Sequence, residues 1–214
     1  MEPHMRQPRT DPNVRRQQIL EEATWLIGLQ GYNGLTVQDL AKRCGLTNGG
    51  LLYYFGSKEQ LLVAILEERD RSEAAIIHAD LEIAHAVSGN ANYAESTVLK
   101  TFCAIIARSI AQPELLRFHT VLQTEALNRQ HPAHSFFLKR DAKVLGEFAK
   151  LLTGHVDSPA RAARQVLALI NGLNQQWLRA DMEFDLLAEF DEAIALILPW
   201  ARSIMQTTYA VATN

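Results

Sequence analysis

The chain has 214 residues, 48% of them apolar and 21% charged, with a formal net charge of -3. That length and balance suit an ordinary globular protein with a sizeable core, and the mild negative charge excludes a chain that coats nucleic acid through its overall charge. No apolar run reaches the roughly 18 residues a membrane-spanning helix needs, and the N-terminus carries no secretory h-region.

Charge is unevenly spread: residues 1–58 carry +2 and the remainder -5, which points to the N-terminal part as the end that faces a polyanion. Residues 1–11 read as a flexible polar arm. Asp11-Pro12 then opens a first helix, with Asp as N-cap and Pro at the first helical position. Ile19, Leu20, Ala23, Leu26 and Ile27 recur along it at helical spacing. Gly31-Tyr32-Asn33-Gly34 stops it. Thr36 caps a short second helix with Val37, Leu40, Ala41 and Cys44 on its apolar side, and Gly45 ends it. Thr47 caps a third, very short helix to about Phe55, and Ser57 caps a long fourth helix to about Ala86. Residues 88–92 read as a loop. Later helices are predicted over 93–111, 113–130, 132–153, 159–180 and 184–206, three of them opened by Pro113, Pro132 and Pro159. Strand signals are nearly absent. The predicted fold is all-α with about nine helices. Residues 12–57 form an N-terminal three-helix unit and 58–214 a larger helical domain. Cys44 and Cys103 sit in apolar helical patterns, as reduced thiols.

The second and third helices and the turn Cys44-Gly45-Leu46-Thr47 have helix-turn-helix dimensions. In such a unit the N-terminal residues of the second helix meet base edges in the major groove. Gly49 and Gly50 each weaken a helix by about 1 kcal/mol relative to alanine, yet they let the backbone approach a base or phosphate closely. Thr47 and Asn48 place a hydroxyl and an amide at a helix N-terminus, which favours phosphate. Tyr53, Tyr54 and Lys58 reach for flanking phosphates, while Phe55 fills the core.

Ile19-Leu20, Ala23, Gly31-Tyr32, Leu35 to Ala41, Cys44 to Thr47, Gly49, Leu51, Tyr53 to Phe55, Ser57 to Glu59 and Leu61-Leu62 together resemble the DNA-binding domain of the tetracycline-repressor (TetR) family. The resemblance covers about residues 12–63. It implies a homodimer that binds a palindromic double-stranded operator, usually represses, and leaves DNA when a small molecule binds the C-terminal domain. After the first glycine of the recognition helix the family favours Thr or Ser, then Leu or Ile, then Tyr. This chain has Gly50, Leu51 and Leu52 there. The expected DNA-contacting set is therefore Thr36, Thr47, Gly49, Gly50, Tyr53, Tyr54 and Lys58, with Asn48 and Leu51 as base-edge readers. Arg15 and Arg16 resemble the family's basic lead-in.

The resemblance also implies that the last two helices pair with their copies in a four-helix interface. Val166, Ile170, Leu173, Trp177, Phe190, Ile194 and Ile197 are the candidate contacts, although an intramolecular core would use the same residues. Polar residues on apolar helical faces mark candidate contacts to a largely apolar effector. These are His119, Gln123, Asn128, Asn171 and Asn174, with Phe102, Phe118, Leu122 and Trp177 around them.

His131 and His134 share a spacing that suits a metal, but no third or fourth ligand accompanies them, and no metal or cofactor is expected. No phosphate loop, nucleophile elbow or carboxylate pair suggests an enzyme. A helical small-molecule-binding or scaffold protein whose helix-turn-helix docks protein rather than DNA is the competing reading. The expected setting is the bacterial cytoplasm, on the nucleoid when DNA is bound.

Overall fold

The computed structural model describes residues 11–71 and 93–204. The N-terminal arm before Asp11, the second half of the long fourth helix and the 88–92 loop fall outside them. In chain order the helices are α1 Pro12–Gly34, α2 Val37–Arg43, α3 Asn48–Phe55, α4 over 58–71, α5 Glu95–Ala111, α6 Pro113–Glu125, α7 His134–Leu152, α8 Pro159–Arg179 and α9 Leu186–Ile197. Residues 201–204 are helical again, and no strand occurs among the described residues.

The caps read from the sequence form real bonds. The Asp11 carboxylate accepts from Asn13 N–H at 2.8 Å, and the hydroxyls of Thr36, Thr47 and Ser57 accept from the N–H of Asp39, Gly50 and Gln60 at 3.0–3.1 Å. Each satisfies a donor that a helix start leaves open. α1 does not stop before Gly31. It kinks there, at φ 75°, and completes one more turn to Gly34. Only glycine adopts that angle readily, and a side chain at this position would run into the Glu125 carboxylate. Ser158 sits at the α8 cap position but makes no side-chain cap bond.

The helices α6, α7 and α9 are shorter than their periodicity suggests. α6 ends at Glu125 and α7 begins only at His134, because side chains there take over backbone groups. Ala133 N–H donates to His131 Nδ1 at 3.2 Å, and His134 Nδ1 lies 2.7 Å from the Ala126 carbonyl. Such local bonds compete with the helical ladder. α9 starts at Leu186, where Asp185 accepts from two backbone N–H groups, and stops at Ile197 just before Pro199, whose missing N–H ends the ladder.

Two apolar clusters result. The first joins α1 to α4 and includes Phe118 and Leu122 of α6, Ala126 and Ala133 of the connection after it, and Phe137 of α7. The second joins α5, α7, α8 and α9, with Phe102, Phe148 and Phe190 at its centre. The first cluster therefore extends well past residue 57. α6 lies along α1, where its Phe118 backbone comes within ordinary contact of the space beside Gly28, 3.4 Å from an added Cβ.

A polar junction closes the same seam. Tyr32 N–H donates to Glu125 Oε2 at 2.8 Å, and the Tyr32 hydroxyl donates to Glu59 Oε1 at 3.2 Å. The Lys58 ammonium sits 4.2 Å from the Tyr32 ring centre, and the His131 ring meets Tyr32 edge-on at 5.1 Å. Burial, then the Glu59 charge, pushes the Tyr32 phenol up to about 12, so it stays a donor. Among the described residues no helix is long and apolar enough to cross a membrane.

Candidate nucleic-acid interface and ligand cavity

α2 and α3 are joined by a turn in which Gly45 takes φ 65° and Leu46 N–H bonds the Ala41 carbonyl at 2.8 Å. The positive φ is the left-handed stop that glycine supplies after a helix. The inner side of α3 is apolar, with Leu51 and Phe55 four residues apart and buried. Its opposite side and start face outward: Thr47, Asn48 and Gly49 are exposed, and Tyr53 is 87% exposed.

The other expected contact residues divide. Leu51 is only 1% exposed, so its side chain belongs to the core and not to a base-reading edge. Tyr54 is half-buried against the first cluster. Thr36 is exposed at the α2 start, where its hydroxyl donates to Asp39 Oδ2 at 2.6 Å. Arg15 bonds Gln18 and the Cys44 carbonyl at 2.9 and 3.1 Å, which ties α1 to the turn. Arg16 lies over the Phe55 ring at 5.2 Å. Lys58 is half-buried over Tyr32, and burial pulls its pKa down against the opposing pull of Glu59 and Glu125. Arg43 pairs with Glu22 at 2.8 Å and stacks over Trp25 at 4.1 Å.

The two glycines have different reasons. A Cβ on Gly50 would lie 3.2 Å from the Thr47 hydroxyl that caps the helix, whereas a Cβ on Gly49 would meet nothing within 4 Å. The protein itself gives Gly49 no reason to stay small. Gly49→Ala should therefore stabilise α3 by up to about 1 kcal/mol while weakening specific DNA binding. Thermal melts paired with a DNA titration check both signs.

A cavity of about 190 Å³ opens between α5, α6, α7 and α8, with Asp70 of α4 at its margin. Ile105, Leu116, Val144, Phe148, Leu167 and Ile170 make its apolar wall. His119, Asn171 and Asn174 of the expected set line it. The remaining six do not. Phe118 and Leu122 point to the first cluster, and Phe102 lies within the second. Trp177 is buried there too, with its indole N–H donated to the Phe184 carbonyl at 3.1 Å. Gln123 is half-buried outside the lining, and Asn128 is an exposed turn residue accepting from Gln130 N–H at 3.0 Å. The charged lining was not foreseen: Arg108 of α5, and Arg140, Lys143 and Glu147 of α7. The last three fall at i, i+3 and i+7 among Val144, Phe148 and Leu151, so charge inside an apolar helical stripe was the signal to read.

Of the charged lining residues, Lys143 pairs with Asp70 at 3.5 Å, and Glu147 pairs with Lys150, outside the lining, at 2.9 Å. His119 Nε2 and Asn174 Oδ1 are buried without a hydrogen-bond partner. Burial first, and the Arg140 charge second, drive the His119 pKa well below its usual value, and burial also lowers that of His131. Both rings therefore take up a proton less readily in the fold than in the unfolded chain, where imidazole titrates near pH 6.5. Below that pH the unfolded chain binds more protons, so stability falls as pH is lowered. Urea midpoints should drop between about pH 6.5 and 5, and His119→Gln should flatten part of that slope.

The expected dimer residues face inward. Val166, Ile170, Trp177, Phe190 and Ile194 are buried in the second cluster, and Leu173 and Ile197 pack half-buried against it. The helical repeat puts the open faces on the other side. On α8 that face holds exposed Arg161, Arg164, Ala168, Gln176 and Arg179, with Gly172, whose Cβ position is open, among them. On α9 it holds Ala188, Glu189, Glu192 and a 76% exposed Leu196.

Residues 19–65 match the family described as bacterial regulatory proteins, tetR family. The HTH-type transcriptional regulator BetI of Stenotrophomonas maltophilia is 30% identical over 180 residues, covering 79% of this chain and 82% of its own. BetI of Serratia proteamaculans is 28% identical over 198 residues, covering 86% and 88%. Among solved structures, NalD, the secondary repressor of the MexAB-OprM multidrug efflux pump in Pseudomonas aeruginosa, superposes with a TM-score of 0.65 at 18% identity, over 88% of this chain and 98% of its own. That likeness speaks for the fold. With the helix-turn-helix, the helical C-terminal layers and these relatives in view, the chain belongs to the TetR family and is a DNA-binding transcriptional regulator, not an enzyme.

Proposed function

We propose that the chain is a repressor that binds a palindromic operator as a homodimer and leaves it when a small, largely apolar effector enters the cavity. The observation that carries the DNA half is the start of α3, where Thr47, Asn48 and Gly49 stand exposed at a capped helix N-terminus beside Tyr53. Small polar side chains and open N–H groups at a helix start are what a groove edge and its phosphates require. In this reading Asn48 reads a base edge, and Thr47, Tyr53 and Thr36 hold phosphates. Gly50 keeps the backbone low. Arg15, Arg16, Tyr54 and Lys58 stand behind that surface, holding the unit's shape, with Lys58 free to swing from Tyr32 to a phosphate.

Dimerisation is supported by the open faces of α8 and α9. Arginines ring the small residues of one, and glutamates ring the exposed leucine of the other. A two-fold axis that crosses α8 of one copy with α9 of its partner joins opposite charges twice, as a self-complementary interface demands. Two recognition helices about 34–36 Å apart then read two half-sites.

Release follows from α6. It offers Leu115, Leu116 and His119 to the cavity and Phe118 and Leu122 to α1. An effector that favours one position of α6 changes the placement of the helix-turn-helix. The test is a titration of the chain against random and selected duplexes over a range of salt. Affinity for a selected palindrome should fall steeply and linearly in log[salt]. Asn48→Ala should flatten discrimination between half-site variants, while Tyr53→Phe should weaken all of them alike. A flat salt response with no sequence selected overturns the reading.

A further inference from the structure

The cavity's polar atoms specify a ligand chemistry more narrowly than "small and apolar", given the repressor reading above. Among the described residues its wall carries three cationic side chains, Arg108, Arg140 and Lys143, and two carboxylates, Asp70 and Glu147. Lys143 and Asp70 answer each other, and Glu147 is answered by Lys150, which does not line the cavity. Arg108 forms no ion pair among the described residues. A guanidinium left so at a half-buried site favours a planar carboxylate that takes two parallel N–H bonds.

Two further residues line the same space. Asn174 is 6% exposed and its Oδ1 has no partner, so it calls for a donor on the ligand. His119 Nε2 is likewise buried and unpartnered. An unmade bond at a buried polar atom is costly, so a ligand that supplies both partners gains specificity. Size sets the third condition: an apolar cavity of about 150 Å³ accommodates benzene, and this one, of about 190 Å³, leaves room for one ring with short substituents.

We propose that the effector is a one-ring carboxylic acid that also carries a hydroxyl, held by Arg108 at its carboxylate and by Asn174 and His119 at its polar groups.

The test is calorimetry on the full chain without DNA, using 4-hydroxyphenylacetate against its near-isosteres 4-hydroxyphenylacetamide, tyramine and phenylacetate. The acid should bind about tenfold or more tightly than the amide, tyramine should not bind measurably, and phenylacetate, lacking the donor, should bind more weakly than the hydroxylated acid. Arg108→Gln should erase the preference for acid over amide while leaving the amide's own binding in place, and Arg108→Lys should recover part of it. Melting curves of both variants confirm that the fold is intact. If the amide or the amine binds as well as the acid, or if none of the four binds at millimolar concentration, the assignment is wrong. An acid that binds but leaves a selected palindrome occupied overturns effector-driven release instead, and the ligand class stands.

Discussion

Gly172→Leu should leave the subunit folded and abolish its pairing. The position lies on the outward face of α8, and a Cβ there meets nothing within 4 Å, so the subunit has room for the larger side chain. Replacing a helix-interior glycine raises helix stability by roughly 0.8–1 kcal/mol, and the single-subunit melting temperature should not fall. In the proposed two-fold interface, however, the same position would sit where two backbones approach, and four extra heavy atoms from each copy would force them apart. Coupling two half-site contacts multiplies affinity by about 10²–10⁴, so operator affinity should collapse by a comparable factor. Sedimentation reads the oligomeric state, and a DNA titration reads the affinity. A variant that remains dimeric with full operator affinity would place the interface elsewhere. Leu196→Arg on α9 should reproduce the loss, because in the proposed pairing it sets a charge of the same sign against the arginine-lined face of the partner's α8.

The second large effect belongs to Glu125. Its carboxylate accepts the Tyr32 N–H at 2.8 Å and lies 3.7 Å from His131 Nε2, at the kink that Gly31 makes possible. Glu125→Ala strands a part-buried N–H, which costs about 1–3 kcal/mol, and loosens the end of α1 from α6. Glu125→Gln keeps an acceptor oxygen and should recover most of the loss. The stability difference is read by urea unfolding. The functional readout is effector response: a chain that still binds DNA but no longer releases it on ligand addition has lost the connection between α6 and the helix-turn-helix. If Glu125→Ala matches the parent in both stability and release, the junction is incidental.

The N-terminal unit was legible because its signals are local. Asp11-Pro12, Thr36, Gly45, Thr47 and Ser57 each fix a helix boundary through a bond to a backbone group within three residues, and the structure forms those bonds or turns. The direction in which a side chain points was harder to read. Leu51 stands at the start of the recognition helix in the sequence, but it shares the inner face with Phe55. The apolar stripes of α8 and α9 were visible, yet a stripe does not say whether the same subunit or a second copy covers it; here α5 and α7 do. The cavity was least legible, since it depends on how four helices leave space between them. His119, Asn171 and Asn174 stood out as polar residues on apolar faces, whereas Arg108 and Arg140 were not singled out. The ends of α6 and α7 were misplaced because His131 and His134 form local bonds that helical periodicity does not encode.

The first apolar cluster bears on how such a protein can be recombined. Its membership runs from Ile19 to Phe137, so the reading head and the receiver share one hydrophobic interior. A chimera joined at residue 57 cuts through that interior and leaves Ile27, Leu62 and Ile65 facing foreign side chains. A transplant of this helix-turn-helix onto another receiver must carry Phe118, Leu122, Ala126, Ala133 and Phe137, or matching shapes, with it. The unit that can be exchanged between regulators is thus a discontinuous set of residues, wider than the segment that touches DNA.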